Sequence, residues 1–272
     1  MSPNTTVYVS FATRIALGLA CGLAGWSISN SAQSQTTAPS KASSKPSSDS
    51  AKLKDTDRVL RHAVFFSFKD SSSAKEIEGV IEAFRALPSK LDIIKGFQSG
   101  ENISHIGMDD GLTHCFLLTF KDEEGRAVYL PHAEHKAFGS LLRPHLDKVF
   151  VIDYWGNDHP QPAGDELTHM AFIKFRDSAT EAEIRGFEEA FLALPSEIDT
   201  IKSIEWGTNN SPEKHDDGFT HALAVTFDSE ANLNKYMSHP AHEAFVQSVI
   251  PAVEKVRIFD FISKRDQSAA AK

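Results

Sequence analysis

The sequence predicts an α+β fold in which two copies of one βαββαβ unit follow each other along the chain. Three observations support this prediction. The chain repeats itself without a gap, apolar residues recur with strand and helix periods in each copy, and the predicted strands are apolar on both faces. The 41% hydrophobic and 24% charged fractions are those of an ordinary soluble protein.

The internal repeat begins at Leu60, which aligns with Leu167 at an offset of 107 residues (167 − 60). It continues without a gap to Asp153, which aligns with Asp260. Roughly 40% of the aligned positions are identical, far above chance for an ungapped match of this length. Duplication of a single unit therefore explains the pattern.

Each element of the first copy follows from its residue pattern. The segment Leu60–Phe68 alternates and is rich in β-branched and aromatic residues, which predicts a strand. Apolar residues at helical spacing from Ser73 to Leu87 predict a helix that ends at Pro88. The remaining predicted elements are a strand at Ile94–Glu101, a turn at Asp109–Gly111, a strand at Thr113–Phe120, a helical segment at 123–146 interrupted at Pro131, and a strand at Val149–Trp155.

This order is ferredoxin-like, and it predicts an antiparallel sheet with strands arranged 4-1-3-2 and both helices on one face. The opposite face carries Ala63 and Phe65 in the first copy and Met170 and Phe172 in the second, and these apolar residues need a cover. We therefore expect the two units to pack sheet to sheet as a dimeric α/β barrel, an intrachain pseudo-dimer. Further oligomerisation of this barrel stays open.

Polar segments separate the predicted domains. Residues 11–28 place Arg14 before an apolar run that is short for a membrane span, so we expect an exported protein, periplasmic or secreted. An uncleaved anchor and lipidation of Cys21 are the alternatives. The expected order is a signal peptide at 1–32, a disordered Ser-rich tether at 33–57, a first domain at 58–155, a linker at 156–165, a second domain at 166–263 and a disordered tail at 264–272.

Charge and motifs exclude several classes of function. The net charge of −9 makes nucleic acid a poor partner. The sequence contains no Gly-rich phosphate loop and no Gly-x-Ser-x-Gly elbow, so it indicates no cofactor and no common hydrolase. We expect no metal site either, because no acidic residue completes a His-Glu-x-x-His motif around His132 and His135.

Polar residues repeated at matched positions are the candidates for function. They are His62, His114, Tyr129, His132 and His135 in the first copy and His169, His221, Tyr236, His239 and His242 in the second. We take strands 1 and 3 to be parallel neighbours, which would place His62 and His114 at one end of the sheet, where the second helical segment returns. Each unit would then hold a small pocket, apolar below and ringed by imidazoles and a phenol, for a small, partly aromatic or acyl ligand.

Two interpretations of these residues stay open. A histidine of near-neutral pKa beside a tyrosine hydroxyl can take a proton from an acidic carbon or a phenol while the hydroxyl stabilises the developing oxyanion. In the structural interpretation, the strand histidines hydrogen-bond across the sheet and Tyr129 and Tyr236 close the core.

Several segments resemble the stress-responsive A/B barrel (Dabb) domain. They are Leu167–Phe175, Gly218–Ala222, Tyr236–His242 and the closing Phe259-Asp260-Phe261. The resemblance covers nearly all of residues 58–263, twice over. It implies a ferredoxin-like unit that dimerises into a barrel, in a family whose members mostly have no known reaction and are linked loosely to stress responses.

A plant branch of that family cyclises polyketides without a cofactor, using a Tyr and a His that match Tyr236 and His242. Tyr129 and His135 occupy the equivalent positions of the first copy, so these four residues are the catalytic candidates. His62, His114, His169, His221 and His239 are the ligand-pocket candidates. In the first copy Pro131 precedes His132, so we expect its helix break to shift and the second copy to be the functional one.

Three functions follow as hypotheses. The favoured one is an exported barrel that binds a small molecule in a His/Tyr-lined pocket without turnover. The others are a cofactor-free cyclase or lyase that uses the Tyr/His pair for proton transfer, and a purely structural assembly module.

Overall fold

The structure, a computed structural model, describes residues 58–158 and 165–263. The predicted signal peptide, tether and tail, and the centre of the predicted linker, lie outside the described residues. Within them the order βαββαβ occurs twice, and each set of four strands forms its own sheet, as the sequence predicts.

The first unit follows the predicted order of elements. Its elements are β1 Arg58–Phe68, α1 Ala74–Arg85, α2 Leu87–Lys90, β2 Ile94–Glu101, β3 His114–Phe120, α3 Glu123–Tyr129, α4 Ala133–Leu142 and β4 Leu146–Asn157. A capping box starts α1, because the Ser73 hydroxyl accepts from the Glu76 N–H and the Glu76 carboxylate accepts from the Ser73 N–H. β4 continues through Asn157, so Gly156 and Asn157 of the predicted linker belong to a strand.

The second unit repeats these elements. They are β5 Glu166–Phe175, α5 Glu181–Ala193, a 3₁₀ turn at Leu194–Ser196, β6 Ser203–Thr208, β7 His221–Phe227, α6 Glu230–Met237, α7 Pro240–Val249, a 3₁₀ turn at Ile250–Ala252 and β8 Val253–Ser263. Thr180 and Glu183 form the equivalent capping box at α5. Duplicated sequence has thus kept the same local signals for starting the first helix.

The strand order is β2-β3-β1-β4 in one sheet and β6-β7-β5-β8 in the other, which confirms the predicted 4-1-3-2 arrangement. β1 and β3 are antiparallel, however, so our expectation that they run parallel is wrong. The helical crossover after β1 restores the chain direction and the β2–β3 connection then reverses it. His62 pairs with Leu118 whereas His114 pairs with Phe66, and the two histidines lie toward opposite ends of the sheet.

The faces of the two sheets that turn away from the helices pack against each other. Phe65 contacts Phe172 and Phe259 across this interface, with ring centroids 5.1 and 4.9 Å apart. Ala63 and Met170 are fully buried in the same cluster. The second sheet is therefore the cover that the apolar faces require, and the prediction of an intrachain pseudo-dimer is confirmed.

Loops exchanged between the units tie the two halves together. The loop 209–220 leaves β6 and crosses to β4, where the Asn210 N–H donates to the Asp153 carbonyl and the Val151 N–H donates to the His215 carbonyl, both at 2.9 Å. The equivalent loop after β2 makes the matching pair of bonds to β8. Each unit is consequently covered by a segment of the other.

The sheet edges approach so closely that glycine is required. A Cβ added at Gly207 would lie 2.7 Å from Tyr154 Cβ, and one added at Gly100 would lie 2.8 Å from the Ile262 carbonyl oxygen. One of these edges also carries a buried ion pair between Arg61 and Glu205, at 2.8 Å. The repeat places Thr168 and Gln98 at the equivalent positions, so the two edges of the barrel are chemically different.

Candidate functional site

The second helical segment of each unit breaks at a histidine that caps the following helix. The His132 side chain accepts a hydrogen bond from the Glu134 N–H at the start of α4, and His239 accepts one from the Ala241 N–H at the start of α7. α4 and α7 begin at equivalent positions of the repeat. The expected shift of the helix break in the first copy is limited to its beginning, since α3 ends at Tyr129 whereas α6 ends at Met237, the equivalent of Leu130. The restart after the capping histidine is not shifted.

This break brings a tyrosine and a histidine together in both units. The ring centroids of Tyr129 and His135 lie 4.4 Å apart, and those of Tyr236 and His242 lie 4.2 Å apart. The His135 Nδ1–H donates to the Leu130 carbonyl at 2.9 Å, which leaves Nε2 as a proton acceptor. Burial lowers the pKa of His135, and burial with the nearby His169 lowers the pKa of His242 to about 3, so both imidazoles are neutral at pH 7.

A second histidine faces the tyrosine edge-on in each unit. The centroids of His62 and Tyr129 are 5.8 Å apart, and His62 Nδ1 donates to the Asp153 carboxylate at 2.7 Å. Burial opposes the charged form of His62, but Asp153 outweighs it and raises the pKa of His62 above the ordinary value. The Arg126 guanidinium also contacts Asp153, at 2.7 Å, and completes a buried His–Asp–Arg chain.

The second unit has the same histidine–aspartate pair without the arginine. His169 Nδ1 donates to Asp260 at 2.6 Å and stands edge-on to Tyr236, with centroids 5.9 Å apart. Leu233 occupies the position equivalent to Arg126. Sequence reasoning missed both aspartates as partners, although each lies directly opposite its histidine once the strands are paired antiparallel.

A cavity of ≈ 310 Å³ opens between the sheet and α4 of the first unit. Its polar lining consists of His62, Tyr129, His135, Arg143, Glu213 and His215, and its apolar lining includes Val64, Phe66, Phe138 and Leu142. The Tyr129 hydroxyl is buried and has no hydrogen-bond partner in the described part of the chain. Burial first, and the charge of Glu213 second, raise the pKa of Tyr129, so the phenol keeps its proton.

The corresponding space in the second unit is a smaller cavity of ≈ 70 Å³ that is almost entirely apolar. His169, Tyr236 and His242 are its polar residues. Val246 replaces Gly139, which lines the larger cavity. Because a Cβ at Gly139 would meet nothing within 4 Å, the missing side chain leaves space there.

Three of the predicted pocket residues lie outside both cavities. His114 packs edge-on against Phe68, with centroids 5.1 Å apart, and His221 stacks on Trp206 at 4.9 Å. Burial lowers the pKa of His221 to about 4. His239 is occupied as a helix cap. The antiparallel pairing of strands 1 and 3 explains the first two placements, because it carries these histidines away from His62 and His169.

No group of three or more His, Cys, Asp or Glu residues within 58–158 and 165–263 could hold a metal ion. In the same ranges, no helix is both long and apolar enough to cross a membrane. The Asp109 and Asp216 carboxylates accept from the Gly111 and Gly218 N–H groups, respectively, as turn residues do.

Comparison with known proteins matches each unit separately. The sequence model for the Stress responsive A/B Barrel Domain matches residues 60–156 and 167–263. A stress-response A/B barrel domain-containing protein of Arabidopsis thaliana is 36% identical over 95 residues, which are 35% of this chain and 87% of that protein. Olivetolic acid cyclase of Cannabis sativa is 32% identical over 99 residues, 36% of this chain and 98% of the cyclase.

A solved structure extends the likeness to both units at once. A candidate monooxygenase from Fusobacterium nucleatum has a TM-score of 0.54 and covers 78% of this chain and 94% of its own. At 8% sequence identity this likeness shows the fold alone. It agrees with two paired ferredoxin-like units, each built from a four-stranded sheet and helices.

Proposed function

Because the chain belongs to the stress responsive A/B barrel domain family, we propose that it binds a small molecule in the cavity of the first unit. One observation carries this proposal: the cavity of ≈ 310 Å³ contains a buried tyrosine hydroxyl that no described residue engages. Leaving such a group unpaired is costly, so a ligand oxygen that accepts its hydrogen bond is stabilised there.

The lining favours a ligand with an apolar body and a hydroxyl or carbonyl head. Val64, Phe66 and Leu142 supply the apolar surface, while the Tyr129 hydroxyl offers a donor and His135 Nε2 an acceptor at the other end. A phenol or a β-keto compound has this distribution of polar atoms.

The sequence motif favours the second copy as the functional unit, but the cavities favour the first. The second unit keeps the intact His-Pro-x-His segment, yet its cavity is ≈ 70 Å³. The first unit loses the proline after His132 and still places His135 against Tyr129. Space for a ligand, rather than the motif, therefore supports the first unit.

A cavity-filling variant tests the proposal. We expect an alkylresorcinol, used as the probe, to raise the Tm of the full-length protein, since binding to the native state alone stabilises it. Gly139→Leu should abolish this shift because the added side chain occupies the cavity while leucine favours the helix. Gly186→Leu, on the exposed face of α5, is the matched control and should keep the shift.

The outcomes of this experiment are distinct. A shift that survives in Gly139→Leu would contradict binding in the first cavity. No shift in the wild-type protein with any phenol or β-keto probe would instead favour the structural assembly module.

A second candidate function is proton transfer without a cofactor. Its support is the neutral His135 in contact with Tyr129, together with the similarity to olivetolic acid cyclase. In this scheme His135 Nε2 takes a proton from an acidic carbon next to a carbonyl, and the Tyr129 hydroxyl donates a hydrogen bond to the enolate oxygen that forms.

Paired variants of the two units test this chemistry. Product formation from a poly-β-keto thioester should fall at least about a hundredfold in His135→Ala and in Tyr129→Phe, a typical loss for a general base or an oxyanion donor. The matched variants His242→Ala and Tyr236→Phe should retain the rate. Retention of the wild-type rate in either first-unit variant excludes this scheme.

We also propose that the chain is exported. The support is the apolar run after Arg14, which a Ser-rich segment at 33–57 separates from the first unit. Cell fractionation with N-terminal sequencing would show cleavage near Ala32, lipidation at Cys21 or an intact N-terminus. An intact protein confined to the cytoplasm would contradict export.

A further inference from the structure

The cavity of the first unit is completed by a side chain of the second unit. The exchanged loop 209–220 is held on β4 by backbone bonds, and it carries Glu213 into the cavity wall. The repeat places Ile106 at the equivalent position of the other loop. Ile106 is 5% exposed and packs in the apolar core of the second unit. Equivalent loops therefore bring a carboxylate to the cavity of the first unit and an apolar side chain to the core of the second.

Glu213 adds a carboxylate to the polar lining of the cavity, close to His62, and one oxygen of this carboxylate lacks a hydrogen-bond partner among the described residues. That oxygen, Oε2, is buried. The nearest basic atom is His62 Nε2, at 3.8 Å. This separation is too long for a direct hydrogen bond, which needs roughly 2.7–3.2 Å.

A ligand hydroxyl can bridge the gap between these two atoms. An oxygen about 2.8 Å from both would be bonded at an angle of roughly 85°, which a hydroxyl accommodates when it accepts from one neighbour and donates to the other. His62 is bound through Nδ1 to Asp153, so its Nε2–H is the donor when the ring is protonated, and Glu213 can only accept. The geometry thus calls for a hydroxyl that still carries its proton.

We propose that Glu213, supplied by the second unit, selects the ligand of the first cavity by accepting a hydrogen bond from a neutral hydroxyl and by repelling a carboxylate oxygen that would take the place of that hydroxyl. The proposal rests on ligand binding in this cavity. It assigns the first unit to phenols or enols with an apolar tail, and it leaves the second unit, with Ile106 at that position, without such selection.

Two further observations agree with this role. Burial first, and the negative charge of Glu213 second, raise the pKa of Tyr129, as expected for a carboxylate near the phenol. The cationic Arg143 also lines the cavity, but it follows α4 and is exposed. Its position is eight residues beyond His135, a rise of roughly 12 Å along the helix axis, whereas His62 Nε2 lies 3.8 Å from the Glu213 carboxylate.

The test compares two probes that differ by one charge. An alkylresorcinol and the corresponding alkylresorcylate, which adds a ring carboxylate, are titrated calorimetrically into the full-length protein. We expect the wild-type protein to bind the neutral probe about tenfold more tightly or better. Glu213→Gln should bring the two affinities to within about threefold, since the amide keeps an acceptor but removes the charge.

Two more variants separate the charge of Glu213 from its role as a hydrogen-bond acceptor and control for the loss of a carboxylate elsewhere on the protein. Glu213→Ile, which installs the residue type of the second unit, should weaken the neutral probe about tenfold because the acceptor is lost. Glu189→Gln removes an exposed carboxylate of α5 and should leave both affinities unchanged. Matching Tm values would show that every variant is folded.

Each outcome decides between the two proposals. Binding of both probes with a ratio that Glu213→Gln does not change overturns the role of Glu213 and leaves ligand binding intact. Tighter binding of the carboxylate by the wild-type protein overturns it as well. If the wild-type protein binds neither probe, ligand selection and the proposed binding function both fail.

Discussion

At the scale of single residues, identical side chains acquire different chemistry from their neighbours. His62 and His169 occupy matched positions and both donate to a buried aspartate, but only Asp153 is also bound by an arginine. Burial raises the pKa of Asp153, and the charges of His62 and Arg126 outweigh burial and lower it. The first unit therefore holds a charged chain where the second holds an isolated pair.

Replacing Asp153 should reveal this chain through the pH dependence of stability. Because folding raises the pKa of His62, its protonated form stabilises the folded state. This stabilisation is fully present below the ordinary pKa of 6.5 and is lost as pH rises through the folded-state pKa. Because folding lowers the pKa of Asp153, its ionised form also stabilises the folded state. This stabilisation is fully present above the ordinary pKa of 3.8 and is lost as pH falls through the folded-state pKa. The full effect is thus present between these two values.

Asp153→Asn should accordingly lower the free energy of unfolding by about 3–5 kcal/mol near pH 5, because it removes the buried carboxylate that both His62 and Arg126 contact. The loss should shrink in strongly acidic and in alkaline solution. Urea titrations at several pH values measure it, with the exposed Asp199→Asn as the control. A loss that is constant with pH would show that the residue acts through packing alone.

At the scale of elements, the break in the second helical segment positions the Tyr/His pair. Each break is a histidine cap, which lets the helix restart and turns the next histidine back onto the tyrosine. The position of the proline is secondary, since one copy has it before the capping histidine and the other after it. A cap satisfies N–H groups that a helix start otherwise leaves unpaired.

Removing a cap should therefore change stability rather than ligand binding. We expect His239→Ala to lower the free energy of unfolding by about 1 kcal/mol, the usual cost of losing a capping side chain. His239→Asn should restore most of it because asparagine caps helices well. Chemical denaturation with probe binding in parallel provides the measurement. Loss of binding at unchanged stability would instead return His239 to the set of pocket residues.

At the scale of the whole molecule, the two units depend on each other for cover, and the cavity of the first unit takes part of its lining from the second. The facing sheets bury Phe65, Phe172 and Phe259 between them, and the exchanged loops close each half with residues of the other. A single unit would expose this apolar face and lose the loop that carries Glu213.

Separating the units should therefore produce association. We expect a protein of residues 58–158 alone to form a homodimer through its bare sheet face or to aggregate, as measured by size-exclusion chromatography with light scattering. The same fragment with Phe65→Asp should resist dimerisation, because a carboxylate on that face cannot be paired. A soluble, folded monomer of the unmodified fragment would contradict the need for a second sheet.

The sequence by itself determined the duplication, the element order and the sheet-to-sheet pairing. These follow from the local periodicity of apolar residues and from the ungapped alignment of the chain with itself, in which His62 matches His169. It also named Tyr129 and His135 as candidates, because they match Tyr236 and His242 across the repeat, and the helix break between them brings their rings together.

Only the tertiary structure decided which residues meet at the site. Antiparallel pairing carried His114 away from His62 and brought Asp153 to it, and the exchanged loop delivered Glu213 from a position 151 residues along the chain (213 − 62). Contacts of this kind depend on strand direction and on which segment crosses which edge. Residue patterns show which face of a strand or helix is apolar, but they do not show which residues of another segment lie against that face.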